Sequence, residues 1–501
     1  MNYANDRIRT VLLAGHAGAG KTTLAEALLY LTKGTDRLGR VEDGNTVCDY
    51  DPDEAKRHAS LSSAVAPVEF DGVKINLIDT PGLFDFEAGL YEGIRAAESV
   101  LIAVSARSGL SVGAQKAYQL AVKNEKARMF YVSKVDAENA DFYKVFEELK
   151  TEIGPSVCPV VVPIEQAGGR IYLNLITKKA YSYAGDGTAR EVPVPSYGHR
   201  TEGLIAAMRE AVAETDEALM EKFFEGEPFT EEEMIEGVRM GTRAGTITPV
   251  VCGASTSMAA TDQVLWAMRK LLPSAARAAG EIGTDRDGNP VEIACDPDAP
   301  LCAYVFKTVA DPFVGKMSYV KVISGKLTTD TPAFNPRTGE PERLGKLAFA
   351  KGKKLIDTDC ISAGDVGVLT KLPNAKTGDT LCAPGRVVTL EQPSFPVPTL
   401  SMAIKVKNKG DESKVSGALQ RLMEEAPTIG YRVDTETVQQ ILSGMGEQHL
   451  DVVCSKLKNK FGVEIALAKP RIAYRESIRK KFKAQGRHKK QTGGHGQFGD
   501  V

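Results

Sequence analysis

The chain's 501 residues suffice for about three or four domains. Its 63 basic and 65 acidic residues leave a formal charge of −2, which gives no global electrostatic case for nucleic acid, so any RNA-facing surface must be local. Apolar runs such as residues 100–104 fall far short of the ~20 a membrane helix needs, no secretion signal is apparent, and eight cysteines without a C-x-x-C pair, apart from six histidines, suit a reducing cytoplasm rather than a zinc site or a disulfide frame.

From residue 9 to about 273, apolar strands alternate with amphipathic helices, the pattern of a doubly wound α/β sheet. The first strand, Val11-Leu12-Leu13, runs into Gly15-His16-Ala17-Gly18-Ala19-Gly20-Lys21-Thr22, followed by Thr23 and a helical stretch at 24–31. This is a glycine-rich phosphate loop in its proper setting. Its glycines let backbone N–H groups close around phosphate oxygens, and the helix start adds unpaired donors and partial positive charge. Lys21 reaches the outer phosphates, and the Thr22 hydroxyl is placed for Mg²⁺. A strand at 73–78 then ends in Asp79-Thr80-Pro81-Gly82. Its carboxylate suits Mg²⁺ held through water, and the Gly82 N–H suits sensing of a γ-phosphate. A third strand, 129–132, ends in Ser133-Lys134-Val135-Asp136. Asp136 is suited to accept paired hydrogen bonds from guanine N1–H and its exocyclic amine, a pattern adenine cannot supply, while the Lys134 stem covers the base. Alone, S-K-V-D is an ordinary solvated turn. Third in an ordered series, it points to GTP or GDP.

The stretch 142–248 is too long for one connection in such a unit. It holds its own strands (160–163 and 170–177) and an acidic helical part, 217–241. A helix at 262–272 follows Cys252-Gly253-Ala254-Ser255, and Pro273 stops it. Residues 276–300, rich in Gly, Asp and Pro, read as a linker. Short β-type runs separated by turns then suit a small β-barrel over 301–390. After the joint at Phe395-Pro396-Val397-Pro398, residues 399–475 read strand, helix (412–425), two strands, helix (447–461), strand (463–467), a split βαβ pattern of ferredoxin-like type. There is no internal repeat. Gly493 to Gly499 imitates a second phosphate loop, but no lysine or helix follows, so nucleotide binding there is rejected.

With these motifs the chain resembles the elongation factor G family of translational GTPases. Further motifs in family order carry the likeness: Asp311-Pro312-Phe313-Val314-Gly315, Gly378-Asp379-Thr380-Leu381-Cys382, Gly444-Met445-Gly446-Glu447-Gln448-His449-Leu450-Asp451, and residues 491–501. The resemblance implies a GTP-binding domain over 1–275 with an inserted subdomain at about 155–248, a linker at 276–300, a β-barrel domain at 301–390, a ferredoxin-like domain at 396–475, and the start of a fourth domain at 476–501, within which the chain is truncated. It implies a cytoplasmic monomer that couples GTP binding and hydrolysis to ribosomal translocation in its full-length form. Its expected partners are rRNA and ribosomal proteins, and it has no membrane role. Ala254 and Ser255 fall in the family's last nucleotide loop. Arg57-His58-Ala59-Ser60-Leu61 aligns with the first switch, so Ser60 takes the place of a threonine that ligates Mg²⁺ together with Thr22 and Asp79. Residues 471–490 carry nine Lys or Arg against Glu476 alone; the family match favours RNA contact there over a merely solvated face. His449 reads as a core or surface histidine rather than a catalytic one, and Trp266 as packing.

Two departures bear on catalysis. The family's water-orienting histidine after D-T-P-G is here Leu83, which has no donor, acceptor or proton, and the loop aspartate thought to hold a monovalent cation is Gly18. Binding should survive, but hydrolysis should be slow, unless His58 or His16 substitutes. Alternative readings are a nucleotide-gated ribosome-binding module with little hydrolysis, or a ribosomal protection protein of the tetracycline-resistance type.

Overall fold

In the computed structural model, residues 3–166, 169–196, 198–311, 314–492 and 494–501 are described; Pro312, Phe313 and Gly493, singled out above, lie outside them. The first unit runs β1 (Ile8–Gly15), α1 (Lys21–Leu31), α2 (Pro52–Arg57), β2 (Ala64–Phe70), β3 (Val73–Asp79), α3 (Ala88–Ala96), β4 (Ser99–Ser105), α4 (Val112–Lys123), β5 (Ala127–Ser133), α5 (Phe142–Ile153) and β6 (Val157–Pro159). An insertion follows, with β7 (Val161–Gln166), β8 (Gly169–Asn174), β9 (Lys179–Tyr183), β10 (Ala189–Val192), α6 (His199–Ala213), α7 (Glu217–Phe224) and α8 (Glu231–Ala244). The chain returns through β11 (Thr248–Cys252) and α9 (Thr261–Leu271). The main sheet has the order β2-β3-β1-β4-β5-β11-β6. It is parallel except at β2, which pairs antiparallel with β3. Strands β3 and β4 are buried along their whole length, as both faces of a helix-covered parallel sheet require. The ends of β1, β3, β5 and β11 therefore deliver their loops to one edge, where such sheets bind ligands.

The insertion is a four-stranded sheet, β10-β9-β8-β7, with three helices. The acidic stretch expected as one helical part is two helices. Pro228 follows α7, and a reciprocal Thr230–Glu233 capping box starts α8. Residues 276–300 are likewise no plain linker. They hold a hairpin, β12 (Glu281–Asp285) and β13 (Pro290–Ile293), turned over Asp285, whose Oδ1 accepts the N–H groups of Asp287 and Asn289 at 2.9 and 2.8 Å.

The next unit contains β14 (Cys302–Asp311), β15 (Gly315–Ser324), β16 (Lys326–Leu327), β17 (Ala333–Asn335), β18 (Glu340–Glu342), β19 (Leu347–Lys351), β20 (Lys354–Thr358), β21 (Ile361–Ser362), β22 (Val366–Thr370), β23 (Thr380–Cys382) and β24 (Val388–Leu390). Eight of these strands form an antiparallel sheet, β18-β17-β23-β14-β15-β22-β19-β20, over a core that includes Ala303, Val305, Val320, Val322 and Leu369. β24 pairs instead with β12, tying the hairpin to this unit. The third unit has β25 (Leu400–Val406), α10 (Glu412–Glu425), β26 (Gly430–Asp434), β27 (Gln439–Gly444), α11 (Glu447–Phe461) and β28 (Ile465–Ala468), with sheet order β26-β27-β25-β28, the ferredoxin-like arrangement. A last hairpin pairs β29 (Arg487–Thr492) with β30 (His495–Asp500). No helix among the described residues is long and apolar enough to cross a membrane.

Candidate functional site

The loop from Gly15 to Thr22 leaves β1 and enters α1. Gly20, the residue before the helix, has φ 90°, which a side chain would strain. Lys21 is buried, and its Nζ donates to the carbonyls of Gly15 (3.1 Å) and His16 (2.9 Å), so the ammonium is held at the loop. Burial pushes its pKa down to about 8, against the attraction of Asp79 and Asp49. Gly82 packs directly on this loop. The Ala17 N–H donates to its carbonyl at 3.1 Å, and a Cβ on Gly82 would lie 2.4 Å from Ala17 N and 2.6 Å from Lys21 Nζ. Only glycine fits there.

The proposed metal ligands converge. Thr22 Oγ1 donates to Asp79 Oδ2 at 2.6 Å and lies 3.1 Å from Ser60 Oγ. Asp79 Oδ1 is buried and has no hydrogen-bond partner among the described residues. The buried Asp49 joins this group, hydrogen-bonded by the Ser60 hydroxyl. Burial raises both aspartates to about 6. No three His, Cys, Asp or Glu side chains cluster for metal among the described residues; here the hydroxyls of Thr22 and Ser60 complete the set. A hard, oxygen-only group with one orphaned carboxylate oxygen fits Mg²⁺.

Two buried glutamates shape the surrounding loop. Glu26 Oε1 accepts the Val47 N–H at 2.7 Å. Glu54 Oε1 accepts the N–H groups of Leu61 (3.0 Å) and Ser62 (3.1 Å), and its Oε2 accepts that of Asp51 (3.0 Å). Burial raises Glu26 to about 6 and Glu54 to about 7. Motif reading passed over Glu26, Asp49 and Glu54. A signal existed in Glu26, the one acid inside the otherwise apolar Leu24-Ala25-Glu26-Ala27-Leu28-Leu29.

The loops after β5 and β11 meet on the other side of the phosphate loop. Ser133 Oγ donates to the Ala19 carbonyl at 2.7 Å, and Lys134 Nζ to the Gly18 carbonyl at 2.8 Å. Ser257, not foreseen, donates to Asp136 Oδ2 at 2.7 Å. Ser255 Oγ pairs with the Tyr131 hydroxyl at 2.7 Å, and the Ala254 N–H donates to the Ala259 carbonyl at 2.9 Å. The two loops thus form a single hydrogen-bonded platform with the phosphate loop. Thr23 is half-buried on α1.

Leu83 packs on a small apolar cluster of Leu61, Phe86 and Val452. Of the two imidazoles nearby in sequence, His58 is held by a backbone contact, and the Nδ1 of His16 is buried with no hydrogen-bond partner among the described residues. His58 ends α2 at φ 50°, with Nδ1 3.0 Å from the Val41 carbonyl. His16 lies against the Phe84 ring, centroids 5.8 Å apart. His449 is a buried packing residue; burial lowers its pKa to about 4.

Comparison with known proteins agrees along the chain. Residues 6–274 match the elongation factor Tu GTP-binding domain family, 300–384 elongation factor G domain 2, 395–469 elongation factor G domain III, and 470–501 elongation factor G domain IV. The elongation factor G proteins of Thermotoga petrophila and Thermotoga maritima are each 36% identical over 502 residues, covering 99% of this chain and 72% of theirs. A crystal structure from Thermus thermophilus superposes with a TM-score of 0.85 at 34% identity, over 99% of this chain and 72% of that one.

Proposed function

The chain belongs to the elongation factor G family of translational GTPases, and from that premise we propose how its own residues bind and turn over the nucleotide. It is a GTP-binding translation factor. The loop N–H groups and Lys21 hold the phosphates, Thr22, Ser60 and Asp79 hold Mg²⁺, with Asp49 fixing the Ser60 hydroxyl, and Asp136, steadied by Ser257, reads guanine. When bound, Mg²⁺ neutralises charge that builds on the β- and γ-phosphate oxygens. Ser60 also links the segment 49–63 to the γ-phosphate state, so the order of that segment reports the nucleotide. Its partner is the ribosome, and the finer role we propose is coupling of the GTPase cycle to translocation. Hydrolysis is slow, because Leu83 cannot orient water.

The observation that carries this reading is the convergence of Thr22, Ser60 and the orphaned Asp79 oxygen beside Lys21. The test is a fluorescent-nucleotide titration of the parent and Asp136→Asn with guanine and adenine nucleotides, followed by phosphate release with and without ribosomes. The parent should bind GDP and GTP and reject ATP. Asp136→Asn should weaken guanine binding by about 1–3 kcal/mol, because guanine donors are then left unpaired. Unchanged GTP affinity in Asp136→Asn would refute the assignment of the base site.

A further inference from the structure

At the sheet edge opposite the nucleotide loops, four arginines gather around the last turn of α9. Arg9, at the start of β1, donates from Nε to the Leu272 carbonyl at 3.1 Å, and Arg239 on α8 donates from Nε to the Lys270 carbonyl at 2.9 Å. Arg269 stands on that same turn, and Arg277 just beyond it shares Glu236 with Arg239. The two carbonyls belong to the helix end, where cations are favoured, so Arg9 and Arg239 serve as caps. At about 3.3 Å per residue along β1, Arg9 lies roughly 20 Å from Gly15, clear of the phosphate loop.

Capping does not use all that the cluster offers. Arg9 is 8% exposed, and its Nη1 is buried with no hydrogen-bond partner among the described residues, as is Arg269 Nε. Two carboxylates pair with the group: Glu236, shared by Arg239 and Arg277, and Asp71, 2.7 Å from Arg269. Glu98 also attracts Arg9, but it is engaged by Lys321 and by the Thr10 N–H. Burial, then the charges of Arg239 and Arg269, push the Arg9 pKa down to about 10, and each of these arginines outweighs either Glu98 or Asp6, which act the other way. The charged neighbours of Arg9 therefore repel it on balance. A buried guanidinium with an idle donor in a repulsive field carries a cost that a bound anion removes.

We infer that Arg9, Arg239, Arg269 and Arg277 form a second anion site, separate from the nucleotide site, for a small tetrahedral dianion: phosphate or the phosphate end of a monoester. The donors set the class. Guanidinium forks match the paired oxygens of a phosphate group, and several of them around one point suit a dianion better than a singly charged halide. Burial sets the size. The half-exposed side of the cluster, with Arg239 and Arg277 side chains 20% and 59% exposed, is the approach, and Arg9 lies beneath it. A small ion or a terminal group reaches such a place, whereas a nucleic-acid backbone phosphate is flanked by chain on both sides and needs an open face.

The test uses the whole chain with Mg²⁺ and GDP in excess, so that the phosphate loop is filled. Inorganic phosphate is titrated against potassium chloride at equal ionic strength, with melting temperature and the phosphorus NMR line width of the free ion as readouts. In the parent, phosphate should raise the melting temperature saturably in the millimolar range, as a ligand of the folded state does, and its line should broaden. Glycerol 3-phosphate in its place separates the two sources: a matching response assigns the site to monoesters as well, and a response to inorganic phosphate alone assigns it to the free ion. Arg9→Met should abolish both effects. Because that change also leaves the Leu272 carbonyl without its partner, Arg269→Gln, at a partly exposed helix position, is the second variant; it should weaken phosphate binding about tenfold. No saturable effect over chloride in the parent, or an effect kept in both variants, would overturn the site and leave the arginines as helix caps. Displacement of phosphate from the parent by an RNA octamer would overturn the small-ion reading in favour of a nucleic-acid surface.

Discussion

At Leu83 a single side chain decides between chemistry and packing. Leucine offers nothing to an attacking water, yet it lies on Leu61, Phe86 and Val452. Leu83→His should raise ribosome-stimulated GTP turnover by about 10²-fold or more, the usual worth of a positioned proton-transfer group, while loosening that apolar junction. A stopped-flow phosphate-release assay of both proteins decides it: turnover in the parent that already matches the variant would show that another group does the work. The metal group allows a second prediction at this scale. In the folded, metal-free protein Asp79 and Asp49 stay protonated up to about pH 6, whereas in the unfolded chain they ionise near 3.8. The folded state then binds more protons over that window, so this pair costs stability as pH rises from about 4 to about 6. Mg²⁺ favours the ionised pair. The rise in melting temperature on adding Mg²⁺ should therefore be small at pH 5 and larger at pH 7.5, which scanning fluorimetry can read.

Elements differ in how plainly the chain announces them. Helices α10 and α11 lie where their apolar periods put them, and the three nucleotide loops follow strands that are rich in Val, Ile and Leu in β1 and β3 and in Met, Phe, Tyr and Val in β5. Helix α2 was harder to see, because it is six residues long and mostly charged. Its signal was present nonetheless in Asp51-Pro52-Asp53-Glu54, an N-cap, a proline at the first turn and a reciprocating glutamate. Helix α6 carries small residues and little apolar contrast, so its period is weak. The hairpin at 281–293 was hidden by composition: Asp285 to Asn289 reads as loop chemistry, and only the pairing with β24, about a hundred residues away, makes it part of a sheet. The carboxylates of Glu26, Asp49 and Glu54 escaped motif reading because no spacing marks a residue that bonds a neighbouring loop. One turn provides a test at this scale. Gly352, between β19 and β20, has φ 55°, its N–H donates to the Val65 carbonyl at 2.9 Å, and a Cβ there would lie 2.0 Å from the Val47 carbonyl oxygen. Gly352→Ala should cost about 1–3 kcal/mol through strain and lost docking, seen as a lower urea midpoint, while Gly288→Ala, in open space on the 281–293 hairpin, should cost less.

Across the whole molecule, buried lysines join the nucleotide-binding unit to the antiparallel β unit. Lys321 bonds Thr10 Oγ1 (2.9 Å) and the Gly364 carbonyl (2.7 Å) and pairs with Glu98, while Lys307 bonds the Ser63 carbonyl. The most enclosed pair is Lys74 with Asp365, at 2.9 and 2.7 Å to the two carboxylate oxygens, with side chains only 5% and 3% exposed. Asn76 donates to the same carboxylate at 2.9 Å, and the ammonium lies 3.5 Å from the centre of the Phe349 ring. Burial lowers the Lys74 pKa, and Asp365 opposes that shift. Such a pair adds little stability over an apolar replacement, but breaking it leaves a charge without a partner in the seam. Asp365→Ala should therefore cost about 3–5 kcal/mol. The double variant Lys74→Met/Asp365→Asn, which removes the charge and keeps an acceptor for Asn76, should recover most of that loss. Urea unfolding of the parent, Lys74→Met, Asp365→Asn and the double variant closes the cycle, with Asp365→Ala measured beside it. If the two units are joined through this seam, the loss in Asp365→Ala should come with faster trypsin cleavage within 49–63, because Lys307 on β14 bonds Ser62 and Ser63 and Tyr319 on β15 bonds Tyr50, bracing that segment from the β unit. Destabilisation without that cleavage would place the pair outside the path between the units, and additive single-variant losses would show that Lys74 finds another partner when Asp365 is removed.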